Sequence, residues 1–270
     1  MTKLDKQVND FKATFLSLDS DNQVKACRKL AKELRDNHTP STARSYLTKY
    51  RKALIPLNKD VSAVLRIAKA EQNKIQAKQK KDVAKSNKAL KPIRNYKQMI
   101  AVAEQLIKSG NLAKMTAGLC LLTGRRMSEV LKTAKFTNWG NNKNKAYFTG
   151  QMKGKSDSKL KDKYAVYTLT DRADIKKAIK QVQQIANVKG LTAKQINSKY
   201  ANTVNSACWK AFDTYIGICT SKSLRKAYGT ICKELYKESS QSDNSFLAEI
   251  LGHGAEDLDT VNTYSGYYLK

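Results

Sequence analysis

Four side chains late in this 270-residue chain have the types and the order for phosphodiester chemistry. Lys222 and Arg225 stand in Lys222-Ser223-Leu224-Arg225, His253 follows Leu251-Gly252, and Tyr264 lies between Thr263 and Ser265. Attack on phosphorus needs a nucleophile, charge stabilisation at the non-bridging oxygens and a proton for the leaving 5′ oxygen. A phenol, two cations and an imidazole supply most of that set. Tyr267 and Tyr268 compete with Tyr264 as the nucleophile on residue type alone.

Upstream lies Leu122-Thr123-Gly124-Arg125-Arg126-Met127-Ser128-Glu129-Val130. Gly124 is expected to end one helix, and Ser128 or the arginines to open the next. Guanidinium donors at such a junction sit beside unpaired backbone N–H groups, a good phosphate environment. Glu129 reads as a structural partner rather than a base. Lys153 and Lys155 fall in the polar stretch Gln151-Met152-Lys153-Gly154-Lys155-Ser156-Asp157-Ser158, between two β-rich runs at 145–149 and 164–169. This predicts a hairpin with lysines at its tip. A tip lysine can reach into a groove and protonate the leaving oxygen; Lys153 is the candidate, with Lys155 and Lys159 as competitors.

Composition sets the partner. Lys and Arg number 51 against 23 Asp and Glu, a net charge of +28 that runs along most of the chain, so a polyanion, most often nucleic acid, is expected. With 41% apolar residues the chain can still bury cores, which excludes a disordered tail. The five cysteines are widely spaced and never form a C-x-x-C pair, so they read as buried thiols of a reducing cytoplasm rather than as disulfides or zinc ligands. No apolar run is of membrane-spanning length and no secretory signal opens the chain.

The elements that must position the chemistry are mostly helical. Leu4, Val8, Phe11, Phe15 and Leu18 form one amphipathic stripe; Val24, Cys27, Leu30, Ala31 and Leu34 form a second, and Tyr46, Leu47, Tyr50, Ala53 and Leu54 a third. Arg44, Lys49, Arg51 and Lys52 flank the third stripe as candidate phosphate contacts. From Val61 to about Leu90 no Gly or Pro interrupts a predicted long helix on which Lys74, Lys78, Lys81, Lys85 and Lys88 share a face over about 20 Å. Further helices are expected from 93 on, including Thr192 to Tyr215, with Trp209 and Phe212 as core aromatics, and Leu258 to Tyr267. The fold class is therefore mainly α with a small antiparallel β-sheet: a helical DNA-binding domain over 1–60, a basic linker helix over 61–92 and an α+β catalytic domain over 93–270.

Arg126, a hairpin lysine, Lys222-x-x-Arg225, Leu251-Gly252-His253 and Tyr264, in that order, resemble the boxes of the tyrosine recombinase superfamily. Arg125-Arg126, Phe148-Thr149-Gly150-Gln151-Met152-Lys153 and Lys222, where most integrases have histidine, are similar to the telomere resolvases (protelomerases). His253 to Tyr264 spans eleven positions, two more than is common in integrases, with Gly254-Ala255-Glu256 as the site of the insertion.

The resemblance implies Arg126, Lys153, Lys222, Arg225, His253 and Tyr264 as catalytic residues, with Arg125 and Lys155 among the DNA contacts. It implies a 3′-phosphotyrosyl intermediate, no metal or ATP, and a homodimer on double-stranded DNA of inverted-repeat symmetry, sealing hairpin ends near the nucleoid. The short stretch after Tyr264 suits a dimer better than a cyclic tetramer with exchanged tails. An integrase joining two duplexes is the alternative, and a non-catalytic basic DNA-binding protein the second.

Overall fold

The computed structural model describes residues 3–152, 163–253, 261–264 and 266–270. They divide into two compact units, Met1–Asp82 and Val83–Lys270.

In the first unit the three stripes become α1 (Lys3–Leu16), α2 (Ser20–Asn37) and α3 (Pro40–Leu54), followed by α4 (Lys59–Ala63). Asp19 accepts from the Asn22 backbone N–H at 2.9 Å to start α2, and Thr39 with Pro40 starts α3. Their inward faces close a core of Val8, Phe15, Cys27, Ala31, Leu34, Leu47, Tyr50 and Leu54.

The predicted uninterrupted helix from Val61 is corrected. It is broken between α4 and α5 (Lys69–Lys88), although no Gly or Pro marks the break. Val61 and Leu65 are both drawn into the core, and that burial outweighs continued helix. The released Ile67 carbonyl accepts from the Gln72 side chain at 3.2 Å. The division between the units falls within α5, which buries only Ile75 and leaves its five aligned lysines exposed. It ends before Pro92, which belongs to a strand.

The second unit is built around α7 (Leu112–Thr123), every residue of which from Met115 onward is buried. Against it pack α6 (Tyr96–Ile107), α9 (Arg172–Ile185), α10 (Ala193–Ile216) and α11 (Ser221–Tyr236). A short α8 (Met127–Lys132) leads into an antiparallel sheet of β2 (Lys135–Asn138), β3 (Lys145–Thr149) and β4 (Tyr164–Tyr167), in the order β2-β3-β4. The predicted hairpin runs are β3 and β4; Phe136, Phe148 and Tyr164 lie across from one another in register. β2 escaped the sequence because one buried residue, Phe136, does not make an alternating pattern.

The chain then passes through α12 (Asp243–Leu251). The expected helix to Tyr267 is also corrected: a helical stretch reaches Asn262, but Tyr267–Leu269 form a strand, β5, parallel to β1 (Lys91–Ile93). Backbone pairing with β1 satisfies N–H and C=O groups that a helix end would leave open. Phe212 is core, whereas Trp209 is 56% exposed, one residue and so about 100° around the helix from the buried line of Val204, Cys208 and Phe212. All five cysteines are buried and free. Among the described residues no helix is long and apolar enough to cross a membrane.

Candidate active site

Gly124 ends α7 in the left-handed conformation, φ 65°, its N–H still reaching the Cys120 carbonyl at 3.1 Å. A side chain there would strike the Tyr228 ring. The extended step that follows points the two arginines opposite ways.

Arg125 turns inward and is 1% exposed. It donates to the Thr123 carbonyl at 3.1 Å, the Tyr164 hydroxyl at 2.6 Å and the Ile250 carbonyl at 2.5 Å, and stacks over the Phe148 ring. Against its expected place among the DNA contacts, its guanidinium is engaged with the protein interior. Arg126 stays at the rim. Its backbone N–H and its Nη1 both donate to the Glu129 carboxylate, at 2.9 and 2.7 Å. Burial alone would raise the Glu129 carboxyl, but Arg126, Arg225 and Arg125 outweigh it and hold the group below the usual carboxylate range. Glu129 is thus a charged anchor for Arg126, in keeping with its reading as a structural partner.

Helix α12 ends on Gly252, again left-handed at φ 67°. Its last carbonyls are capped by three other parts of the unit: Ile250 by Arg125 at 2.5 Å, Leu251 by Arg225 at 2.9 Å and Gly252 by the Gln151 amide at 2.8 Å. The next residue, His253, returns its N–H to the Ala248 carbonyl at 2.9 Å, and its ring lies 5.3 Å, centroid to centroid, from that of Tyr264. A Cβ on Gly252 would collide with the Tyr164 hydroxyl and the Gln151 carbonyl oxygen. Gly252→Ala is accordingly expected to lower the urea midpoint, by about 1–3 kcal/mol of stability.

Arg225, on α11, is 3% exposed. It donates through Nη1 to the Gly124 carbonyl, through Nη2 to that of Leu251 and through Nε to the Tyr264 hydroxyl at 3.3 Å. A guanidinium carries five N–H donors, so two remain for a phosphate. The phenol responds to this setting. Burial raises its pKa, but the charge and hydrogen bonding of Arg225 and then Arg126 outweigh burial and lower it from the ordinary tyrosine value. Of the competitors, Tyr267 lies in β5 with its phenol pushed up, chiefly by burial, and Tyr268 is exposed.

Lys222 is exposed one turn before Arg225. Lys226, which the sequence reading did not single out, is half-buried. Its ammonium is lowered by burial, by Lys222 and by Lys91, and is held up by Tyr264. Its spacing of four from Lys222, on the same helix face, was the available signal. Gln151 and Tyr164 were also missed, since a neutral amide and a strand tyrosine carry no chemical signature. Lys153 and Lys155, with the competitor Lys159, lie outside the described residues, as does the insertion at Gly254-Ala255-Glu256.

The segment bearing Tyr264 is held on both sides. The Asn87 amide donates to the Asn262 carbonyl at 3.1 Å, the Lys91 N–H to that of Gly266 at 3.1 Å, and the Lys270 N–H to that of Ile93 at 3.0 Å.

Of the expected DNA contacts elsewhere, Lys52 on α3 and Lys74, Lys78, Lys81, Lys85 and Lys88 on α5 are exposed. Arg44 and Arg51 are half-buried, and Lys49 is paired with Asp5.

The structure brings Arg126, Arg225, His253 and Tyr264 together around one phenol. Solved structures share the fold. A protelomerase TelA variant covalently complexed with substrate DNA superposes with a TM-score of 0.85 at 23% identity, covering 98% of this chain and 88% of that one. A TelA mutant complexed with DNA hairpin product gives the same values. Protelomerase TelK complexed with substrate DNA gives 0.60 at 22% identity, over 98% of this chain and 58% of that one. No curated protein matches the sequence. The family model of the telomere resolvase ResT/TelK catalytic domain matches residues 89–267, a span that takes in all four of these residues, and the chain belongs to that family of DNA-cleaving and rejoining enzymes.

Proposed function

We propose that this enzyme cuts a replicated telomere junction in double-stranded DNA and seals the cut strands as covalently closed hairpin ends. The observation that carries the reading is the Tyr264 phenol, hydrogen-bonded to Arg225 and shifted toward its anion by two guanidiniums within a family of resolvases. The Tyr264 oxygen attacks phosphorus; as that bond forms, the bond to the 5′ oxygen breaks. The phenolic proton departs and the leaving oxygen takes one up, with Lys153 as the proposed acid. Arg126 and Arg225 hold the non-bridging oxygens, His253 donates to the same phosphate, and Lys222 assists there or at the phenol. Each free 5′ hydroxyl then attacks the phosphotyrosine of the opposite strand, which closes the hairpin and releases Tyr264.

The phosphotyrosyl bond conserves the energy of the cleaved bond, so the proposed reaction uses neither nucleotide nor metal. Two chains on an inverted-repeat site would supply one tyrosine per strand. Exposed lysines of α5 and α3 give the duplex a cationic surface, and five buried free thiols suit a reducing cytoplasm.

The test is incubation with a linear duplex carrying an inverted-repeat junction, in chelator and without nucleotide. Two products that snap back after denaturation are expected. Strand exchange between two duplexes without such products would replace the reading with that of an integrase, and binding without any cleavage would leave a DNA-binding protein only.

A further inference from the structure

The side chain of Gln151 stands where two parts of the site meet. It lies two residues beyond the end of β3 and is 6% exposed. Its amide donates to the Gly252 carbonyl at 2.8 Å, the residue before His253, while its carbonyl oxygen accepts from the Tyr164 hydroxyl at 2.8 Å. Tyr164 in turn accepts from Arg125 at 2.6 Å, and Arg125 holds the Ile250 carbonyl. The chain of bonds therefore leaves the end of α12, crosses the sheet and returns to the same helix end two residues earlier. Gln151 and Arg125, two of its members, are buried. Buried amide and hydroxyl groups are costly to place, and a fully satisfied ring of them fixes geometry better than apolar packing does.

We infer that Gln151 is a positioning residue for His253: by holding the Gly252 carbonyl against the sheet it sets the direction in which the imidazole leaves the helix end. The left-handed Gly252 supports this, because the space a Cβ would occupy is filled by the two atoms that Gln151 and Tyr164 bring there. So does the ring contact of His253 with Tyr264, which sets the imidazole beside the proposed nucleophile. On this inference Gln151 acts through the histidine rather than at the phosphate. The inference rests on the reading of the protein as a resolvase with His253 at the phosphate.

The test is a double-mutant cycle on single-turnover formation of the covalent adduct, with DNA affinity measured in parallel. Gln151→Met, close in length and without the amide, is expected to slow adduct formation about 10- to 100-fold at unchanged affinity. In a His253→Ala background the same substitution is expected to change the rate less than about twofold, since the group it positions is gone. An undiminished loss in that background, or no loss in Gln151→Met alone, overturns the inference. Should Gln151→Met prove insoluble, Tyr164→Phe, which removes only the hydroxyl behind the amide, is expected to give a smaller loss that likewise disappears without His253; an additive loss there overturns it as well. The wild-type enzyme separates the two levels: no adduct at all in wild type refutes the resolvase reading itself, whereas a wild-type adduct with an additive cycle refutes only the role of Gln151.

Discussion

Tyr264→Phe is expected to yield no protein–DNA adduct on a denaturing gel and no hairpin product, with cleavage reduced by at least about 10⁴-fold, because among the described residues Arg225 holds no other hydroxyl. The substitution removes one oxygen. Its phenol is held by Arg225, at 3.3 Å, and by Arg126, so the stability cost should stay within about 1–3 kcal/mol and the variant should bind duplex as wild type does. A suicide duplex, nicked so that the 5′ fragment diffuses away, traps the adduct for gel and mass analysis. An adduct at wild-type level in the variant would remove Tyr264 from the role. Tyr267 and Tyr268 would then be next, although β5 directs the first against Ser223 and α11.

Arg225→Ala is expected to act on rate, pH dependence and stability together. Loss of one of the two guanidiniums proposed to hold the phosphate should slow cleavage by about 10²–10³-fold. Arg225 also leads the forces that lower the Tyr264 phenol, so in its absence burial prevails and the ionisation moves up. The reactive form is the phenolate. The rising limb of the rate–pH profile should therefore shift to higher pH in the variant, a displacement that loss of phosphate binding alone would not produce. The same guanidinium caps the Gly124 and Leu251 carbonyls inside the protein, and leaving them unpaired should cost about 2–5 kcal/mol, read as a lower urea midpoint. Arg225→Lys keeps the charge but cannot span three partners from one planar group, so it should recover part of the pH shift and little of the stability.

The cluster of candidate residues was legible because chemistry restricts residue type. A phosphate needs arginines, a nucleophile needs a tyrosine, and the order of boxes around Arg126, Arg225, His253 and Tyr264 survives in one dimension. The difference between Arg125 and Arg126 was not legible. Adjacent residues of one type go to opposite sides of a backbone step, and only the left-handed Gly124 decides which guanidinium stays at the rim. The break before α5 was hidden for a related reason. Local propensity favours helix through residues 64–68, and only the core that takes in Leu65 says otherwise. Trp209 misled in the other direction, since an aromatic on a helix reads as core until the neighbouring helices show which face they cover. Gln151 could not be read at all, because its role exists only where a strand end meets a helix end.

The parallel pairing of β1 with β5 has a consequence for the order in which the enzyme is made. Asn87 and Asn262, which join beside that pair, are 175 positions apart, so the contact that holds the nucleophile closes one of the longest loops in the chain. Contacts of such separation form late in folding, and Tyr264 emerges from the ribosome after both arginines it must meet. In a partly folded chain the segment bearing Tyr264 is therefore not yet seated beside Arg225. The surroundings of the Tyr264 phenol, Arg225 included, are complete only once this pairing has formed.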